Sequence, residues 1–328
     1  MPRRLLRRLY SATTTTAGSA EAAADNLLQR PLPSITDWLT PQNSHLLSLS
    51  TSPYLRTSVP RSATATATTG ELPPGHHLVY FPPQLPEHLL LPDGSDAEQS
   101  PGAAWPRRMW AGGSLAFSRD PRNRLRYFDE AVLRERVENV HVRGGKLFVW
   151  FERRMFRVPA VAAGEEPAVV EHRCLAFMPP VDRDAPPVVQ RTLKVRPHIR
   201  PDFAETFTPS RHLLFRFSAL THNAHRIHYD DAYSRGEEGY SANLCHGPLA
   251  VVFLLGLLKR ELPRNKRVVG FEYKCLAPMF VEEPYRIAGR WKGGDEPHEG
   301  PRNCELWVET PKGGYAVRST AEVEDDAE

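Results

Sequence analysis

Apolar and polar positions divide the chain into a loosely written first half and a sharply written second half. Residues 76–81 are a short apolar run closed by Pro82-Pro83 and predict a strand. Asp93-Gly94 marks a turn, and a polar, proline-bearing stretch follows it to Pro106. Residues 109–117 are apolar but contain Ala111-Gly112-Gly113, which argues against a helix there. Two β-rich runs, 140–142 and 146–151, flank Gly144-Gly145 and predict a hairpin. Residues 166–178 predict another strand. Residues 56–70 are low in complexity and predict a mobile loop, and residues 179–209, rich in proline and charge without a period, predict a crossing segment.

The second half has clearer periods. Residues 213–221 alternate Phe215, Phe217 and Ala219 against Arg216 and Ser218, which predicts a half-buried strand. A histidine-rich polar loop follows, from His222 to about Asn243. His246-Gly247-Pro248 then opens an apolar helix that runs to about Glu261, with Pro248 in its first turn, Lys259 and Arg260 in its last, and Pro263 as a stop. This helix is apolar on nearly every side, so it must be buried on nearly every side. Four strand-like runs follow, at 267–277, 284–291, 303–309 and 315–323, with glycine turns at 293–294 and 313–314. One such helix needs a sheet curled around it. The pattern predicts an α+β hot-dog arrangement in the second half. The first half has enough strands for a degenerate second copy, although no internal sequence repeat is visible. The expected architecture is a double hot-dog, two antiparallel sheets each wrapped on a central helix. Its expected divisions are an N-terminal arm at 1–30, a degenerate copy at 31–180, a linker at 181–208 and a catalytic copy at 209–325.

Charge changes the picture at the N-terminus. The formal charge is +3, but Arg3, Arg4, Arg7 and Arg8 crowd the first ten residues and no acid precedes Glu21. Without those four the rest of the chain is close to neutral, which argues against general nucleic-acid binding. An Arg-, Ser- and Thr-rich start without acids, with Leu5, Leu6 and Leu9 among the arginines, has the composition of a mitochondrial presequence. Arg8-Leu9-Tyr10-Ser11 is similar to a matrix-protease cleavage site, so a matrix location is expected. Cys174, Cys245, Cys275 and Cys304 are far apart, with neither a C-x-x-C nor a zinc spacing, which suits a reducing compartment. The longest apolar run, 249–258, is too short to span a bilayer.

The candidate chemistry sits at 220–230. His222, His225 and His228 recur at spacing three, which on a helix would suggest a metal. No carboxylate partner is evident, and the segment is expected in a loop after a strand, so no metal or cofactor is expected. An oxygen on which negative charge develops during a reaction needs a positioned donor. The free N–H groups at the start of a buried helix supply one, and Gly247 has no side chain to block the approach. Histidine is the natural base beside such an oxygen, and the loop bearing His228 returns to this helix end.

The run from Ala219 to Asp230 (A-L-T-H-N-A-H-R-I-H-Y-D), followed by Cys245-His246-Gly247-Pro248-Leu249, resembles the R-specific enoyl-thioester hydratases of the MaoC-like group. Within that group it is most similar to the mitochondrial 3-hydroxyacyl-thioester dehydratase type 2 family and its bacterial relatives acting on mesaconyl-CoA. Leu78-Val79-Tyr80-Phe81 and Arg107–Gly113 share the likeness. The resemblance implies that His228 is the catalytic histidine, that Asn223 stands where the wider group has a catalytic aspartate, and that the Gly247 N–H holds the thioester oxygen. An amide cannot exchange protons at neutral pH. Asn223 is therefore expected only to orient water or hydroxyl, and whether Asp230 or His225 assists His228 stays open. Arg226 is a candidate for a phosphate of coenzyme A or phosphopantetheine. Tyr229, His246, Asp230 and Trp110 are further substrate-binding candidates. The expected activity is dehydration of (R)-3-hydroxyacyl thioesters carried on acyl carrier protein or coenzyme A, by a monomer or homodimer. A mesaconyl-CoA-like hydratase, a hot-dog thioesterase and a non-enzymatic acyl-carrier-binding shell are the alternatives.

Overall fold

The computed structural model describes residues 19–158, 161, 164, 166–182, 200–292 and 302–326. Most of the expected presequence, most of the crossing segment and the 293–294 turn lie outside these residues.

Among the described residues, ten strands make one antiparallel sheet. The first half contributes β1 (Ile35–Trp38), β2 (Arg107–Phe117), β3 (Glu130–Arg143), β4 (Lys146–Arg157) and β5 (Val169–Met178). The second contributes β6 (Phe203–Phe207), β7 (Lys266–Cys275), β8 (Tyr285–Trp291), β9 (Arg302–Glu309) and β10 (Tyr315–Asp325). The order across the sheet is β1-β3-β4-β5-β2-β7-β10-β9-β8-β6. Read from its own outer edge, each half runs first, third, fourth, fifth, second. The repeat that the sequence hides is therefore a repeat of topology, and the fold is the α+β double hot-dog. The two expected sheets are fused into one by β2 and β7, paired from Gly112 opposite Lys274 to Ala116 opposite Gly270.

Each half has a helix between its first and second strands. In the second half it is Gly247–Glu261, with Pro at its start and nine buried side chains, among them Val252, Phe253, Leu254 and Leu255. Its counterpart is Pro41–Leu55, for which the sequence pattern had no signal. That helix buries Ser44, His45, Ser50 and Thr51 among its apolar residues. Hydroxyls bond back to carbonyls four residues earlier, from Ser50 to Leu46 at 2.8 Å and from Thr51 to Leu47 at 3.0 Å. His45 Nδ1 meets Thr66 Oγ1 at 3.0 Å. Its polar positions are buried because they are satisfied, and a hydropathy pattern cannot register that.

Several expectations need correction. Residues 213–221 are not a strand: Arg211–Leu220 is a helix, capped by Ser210 Oγ accepting from Leu213 N. Its buried residues, Leu213, Leu214, Phe217 and Ser218, follow helical spacing, and Phe215 is exposed. The 76–81 run is a 3₁₀ turn, His76–Val79, rather than a strand. Residues 109–117 belong to β2, where glycines allow close pairing on both sides. Within 56–70, Ala63–Thr66 and Ala67–Thr69 are helical turns. The arm at 1–30 contains the helix Ala20–Gln29, whose Leu27 is fully buried beside Val149 and Phe151. The expected linker contains β6, which pairs β8 and is the second half's edge strand. The 140–151 hairpin, the 166–178 strand, the central helix and the four strands after it fall close to their expected places.

The concave face of the first half carries charge. Glu135, Arg153 and Glu171 lie directly opposite one another across β3, β4 and β5. Arg153 donates to Glu135 and, at 2.7 Å, to Glu171, while Arg173 donates to both Glu171 oxygens at 2.9 and 2.8 Å. Arg173 also lies over the Trp110 ring, 4.6 Å from its centroid. Burial by itself would raise the Glu171 carboxyl, but Arg173 and Arg153 hold it down at about 2. Glu135, Arg153 and Arg173, with Trp110, line the cavity described next, and Glu171 lies beneath them. No helix among the described residues is long and apolar enough to cross a membrane.

Candidate active site

The chain leaves the helix Arg211–Leu220 through His222, which takes a positive φ of 50°. Asn223 N bonds Ser218 O at 2.9 Å, and Asn223 Oδ1 accepts from His225 N at 3.0 Å, an Asx turn that reverses the chain. Arg226–His228 form a 3₁₀ turn, and Asp230 caps the next helix, Asp231–Gly236, by accepting from Tyr233 N. Leu244 N donates to Ile227 O at 2.9 Å and draws this loop against the segment that enters the central helix.

That segment determines the state of His228. Its Nδ1 lies 2.8 Å from Leu244 O. A carbonyl only accepts, so Nδ1 carries the hydrogen and the lone pair is on Nε2. The ring is buried and stacks on His246, with centroids 3.6 Å apart and planes at 18°. Burial, then the neighbouring His225, push His228 down to about 3, and His246 lies well below its ordinary value for the same first reason. His246 Nε2 meets Ser218 Oγ at 2.9 Å, while its Nδ1 is buried without a partner. His228 is thus held neutral, in the form that can accept a proton.

His228, Asn223, His246 and Gly247 line one cavity of about 300 Å³. Gly247 is the first residue of the central helix, so its N–H has no partner within the helix. Its lack of a side chain also has a packing consequence. A Cβ there would lie 2.5 Å from Trp110 Cγ and 2.6 Å from Trp110 Cβ. The glycine lets the first half's indole close against the helix start. Trp110, expected near substrate, lines the cavity and donates from Nε1 to Tyr273 Oη at 2.7 Å.

The other sequence candidates are turned away from it. Arg226 pairs Asp230 at 2.8 Å and lies over the Tyr233 ring, Tyr229 is 53% exposed, and none of Arg226, Asp230 and Tyr229 lines the cavity. Local pairing and helix capping use up these groups, which spacing alone could not reveal. The three histidines also separate: His222 is exposed and bonds Pro83 O, whereas His225 and His228 are buried with ring centroids 5.7 Å apart. Sequence reasoning read Asp93 only as a turn residue. It is buried, and its Oδ2 lies 3.3 Å from His225 Nε2. Nothing in the sequence pattern marks a contact between residues so far apart.

A family model of hydroxyacyl-thioester dehydratase type 2 matches residues 75–281, which hold the loop, the helix start and the first half's cavity wall. The chain belongs to that family. It is 33% identical over 255 residues to a mesaconyl-C(4)-CoA hydratase of Chloroflexus aurantiacus, covering 77% of this chain and 84% of the relative. It is 27% identical to the mitochondrial hydroxyacyl-thioester dehydratase type 2 of Schizosaccharomyces pombe, covering 66% and 77%. A solved MaoC-like dehydratase superposes with a TM-score of 0.64 at 12% identity, over 91% of this chain and 99% of that one, a likeness of fold. The protein is a hydro-lyase of hydroxyacyl thioesters.

Three buried imidazoles make a pH dependence of stability. Burial lowers His77 to about 4, His228 to about 3, and His246 well below its usual value. Below about pH 6.5 the unfolded chain takes up protons that the folded protein does not, so stability present above that pH is lost as pH falls. Urea denaturation is expected to show a loss of up to about 4 kcal/mol between pH 7.5 and 5.5, about 1.4 kcal/mol for each of the three imidazoles. Unchanged stability across that interval would refute the neutral, buried state of these rings.

Proposed function

We propose that this protein removes water from (R)-3-hydroxyacyl thioesters to give trans-2-enoyl thioesters in mitochondrial fatty-acid synthesis, with the acyl group on acyl carrier protein. The observation that carries the reading is the shared cavity, lined both by His228, whose lone pair is on Nε2, and by Gly247, whose N–H has no partner within its helix. His228 takes the C2 proton on Nε2. The Gly247 N–H, at the positive end of the helix, holds the thioester oxygen as charge develops on it. Asn223 has its Oδ1 engaged by the His225 N–H, so its Nδ2 is the group left to orient the C3 hydroxyl. The second half supplies this chemistry and the first closes the cavity. The two halves already share one sheet, which favours a monomer or a loose homodimer. The mitochondrial names of two relatives and the arginine-rich start support a matrix location.

Purified protein is expected to interconvert crotonyl and 3-hydroxybutyryl thioesters, read by enoyl absorbance, faster on carrier protein than on coenzyme A. Thiol release from a saturated acyl thioester without hydration, or binding without turnover, would defeat the reading. One observation favours a second reading, hydration of a coenzyme A thioester whose acyl part bears a carboxylate, as the name of the Chloroflexus relative indicates for that protein. Arg108 lines the cavity, has no ion pair within 4 Å among the described residues, and keeps a buried Nε without a partner. Faster turnover of mesaconyl than of crotonyl thioester would select it.

A further inference from the structure

We propose that the carboxylate missing from position 223 is supplied by the other half of the molecule, with Asp93 holding His225 as the second proton-handling group of the site. The proposal rests on the hydro-lyase reading above. Asp93 is a positioning residue, and His225, which lines the cavity, is the group that meets substrate.

Separate observations place Asp93 there. Its Oδ1 is held by Ser95 N at 2.9 Å and Ser95 Oγ at 2.6 Å, which aims Oδ2 at His225 Nε2, 3.3 Å away. Oδ2 is buried and has no hydrogen bond of good geometry among the described residues, and catalytic contacts are often long until substrate tightens them. The backbone is docked as well, since Arg226 N donates to Asp93 O at 2.8 Å. Gly94, at a φ of 79°, seats the turn, because a Cβ there would lie 2.0 Å from Ala224 O. A loop of the first half is thereby fastened to the 223–228 loop by backbone, and its Asp93 carboxylate reaches His225.

The groups facing His225 are Asp93 from that loop, His228 from the 3₁₀ turn and His246 at the helix start, with Arg108 of β2 acting on Asp93 from behind. Burial by itself would raise the Asp93 carboxyl; contact with His225, the Ser95 bond and Arg108 bring it well below the ordinary range, so it stays ionised. With Nε2 facing the carboxylate, Nδ1 is the nitrogen left for substrate. In dehydration the C2–H bond breaks and its proton goes to His228 Nε2. The C–H electron pair becomes the second bond between C2 and C3. The C3–O bond breaks as the hydroxyl takes the Nδ1 proton of a His225 imidazolium, whose Nε2–H stays on Asp93, and leaves as water. His228 has then gained one proton and His225 lost one, and exchange through solvent restores both. Hydration is the same sequence reversed.

The test compares wild type, Asp93→Asn, His225→Gln and the double variant on crotonyl-CoA across pH. Asp93→Asn is expected to lower kcat by about 10- to 100-fold with KM nearly unchanged, and to move the basic limb of the pH profile to lower pH. Its effect should vanish in the His225→Gln background. A wild-type kcat and profile in Asp93→Asn, or the same loss with and without His225, overturns the proposal. A ring N–H proton resonance, shifted downfield by the carboxylate and missing in His225→Gln, is expected in wild type and is independent of turnover. Its absence overturns the proposal even where Asp93→Asn fails to fold. Should wild type turn over no enoyl thioester, the hydro-lyase reading fails, and the resonance alone decides the Asp93–His225 contact.

Discussion

His228→Ala is expected to lower kcat/KM for hydration of a short enoyl thioester by about 10²- to 10⁴-fold, the usual size of a general acid–base contribution. The geometry leaves few substitutes for this ring. Leu244 O fixes the hydrogen on Nδ1, stacking on His246 fixes the plane, and burial keeps the ring neutral. Asn223→Asp is the informative companion. It restores a carboxylate at the position where the wider group has one and is expected to keep activity. Steady-state kinetics on both variants, with melting temperatures as a folding control, would check this. A His228→Ala enzyme within threefold of wild type would remove the mechanism.

Glu171→Ala is expected to lower the free energy of unfolding by about 3–5 kcal/mol, the size seen when one member of a buried ion pair is removed. Glu171 has no exposed surface and accepts from both Arg153 and Arg173. Deleting it leaves two guanidiniums in the interior with Glu135 as the remaining partner of Arg153. The loss should exceed that of Arg122→Ala, whose side chain is 90% exposed where it pairs Asp120, since exposed pairs contribute little. Urea unfolding of the two variants would decide it, and equal effects would mean that water reaches the Glu171 site. Replacing Glu135, Arg153, Glu171 and Arg173 together by apolar residues of similar volume should cost less than Glu171→Ala, because no charge is then left unpaired.

The comparison of sequence with structure turns on particular elements. The central helix was legible because ten successive apolar residues admit no exposed face. The four strands after it were legible because glycine turns and β-rich runs alternate there. The helix Arg211–Leu220 is ambiguous in the sequence because a short amphipathic segment satisfies both periods, and the residue that decides between them is the cap, Ser210, which precedes the alternating run. The helix Pro41–Leu55 was invisible because its inward face is largely hydroxyls and imidazole, which are buried in satisfied hydrogen bonds.

The same division holds at the site. The sequence by itself determined the local groups: a histidine in the loop, a glycine opening an apolar helix, and an amide where an acid is usual. These reside in short segments whose chemistry follows from residue type and spacing. Only the tertiary structure decided which groups meet. It turned Arg226, Tyr229 and Asp230 outward, brought Trp110 of β2 onto Gly247, and set Asp93 beside His225 across 132 positions of chain. The physical reason is that a side chain's partners are set by the closing of the two halves of one sheet on their helices, and periodicity along the chain carries no record of contacts between distant segments.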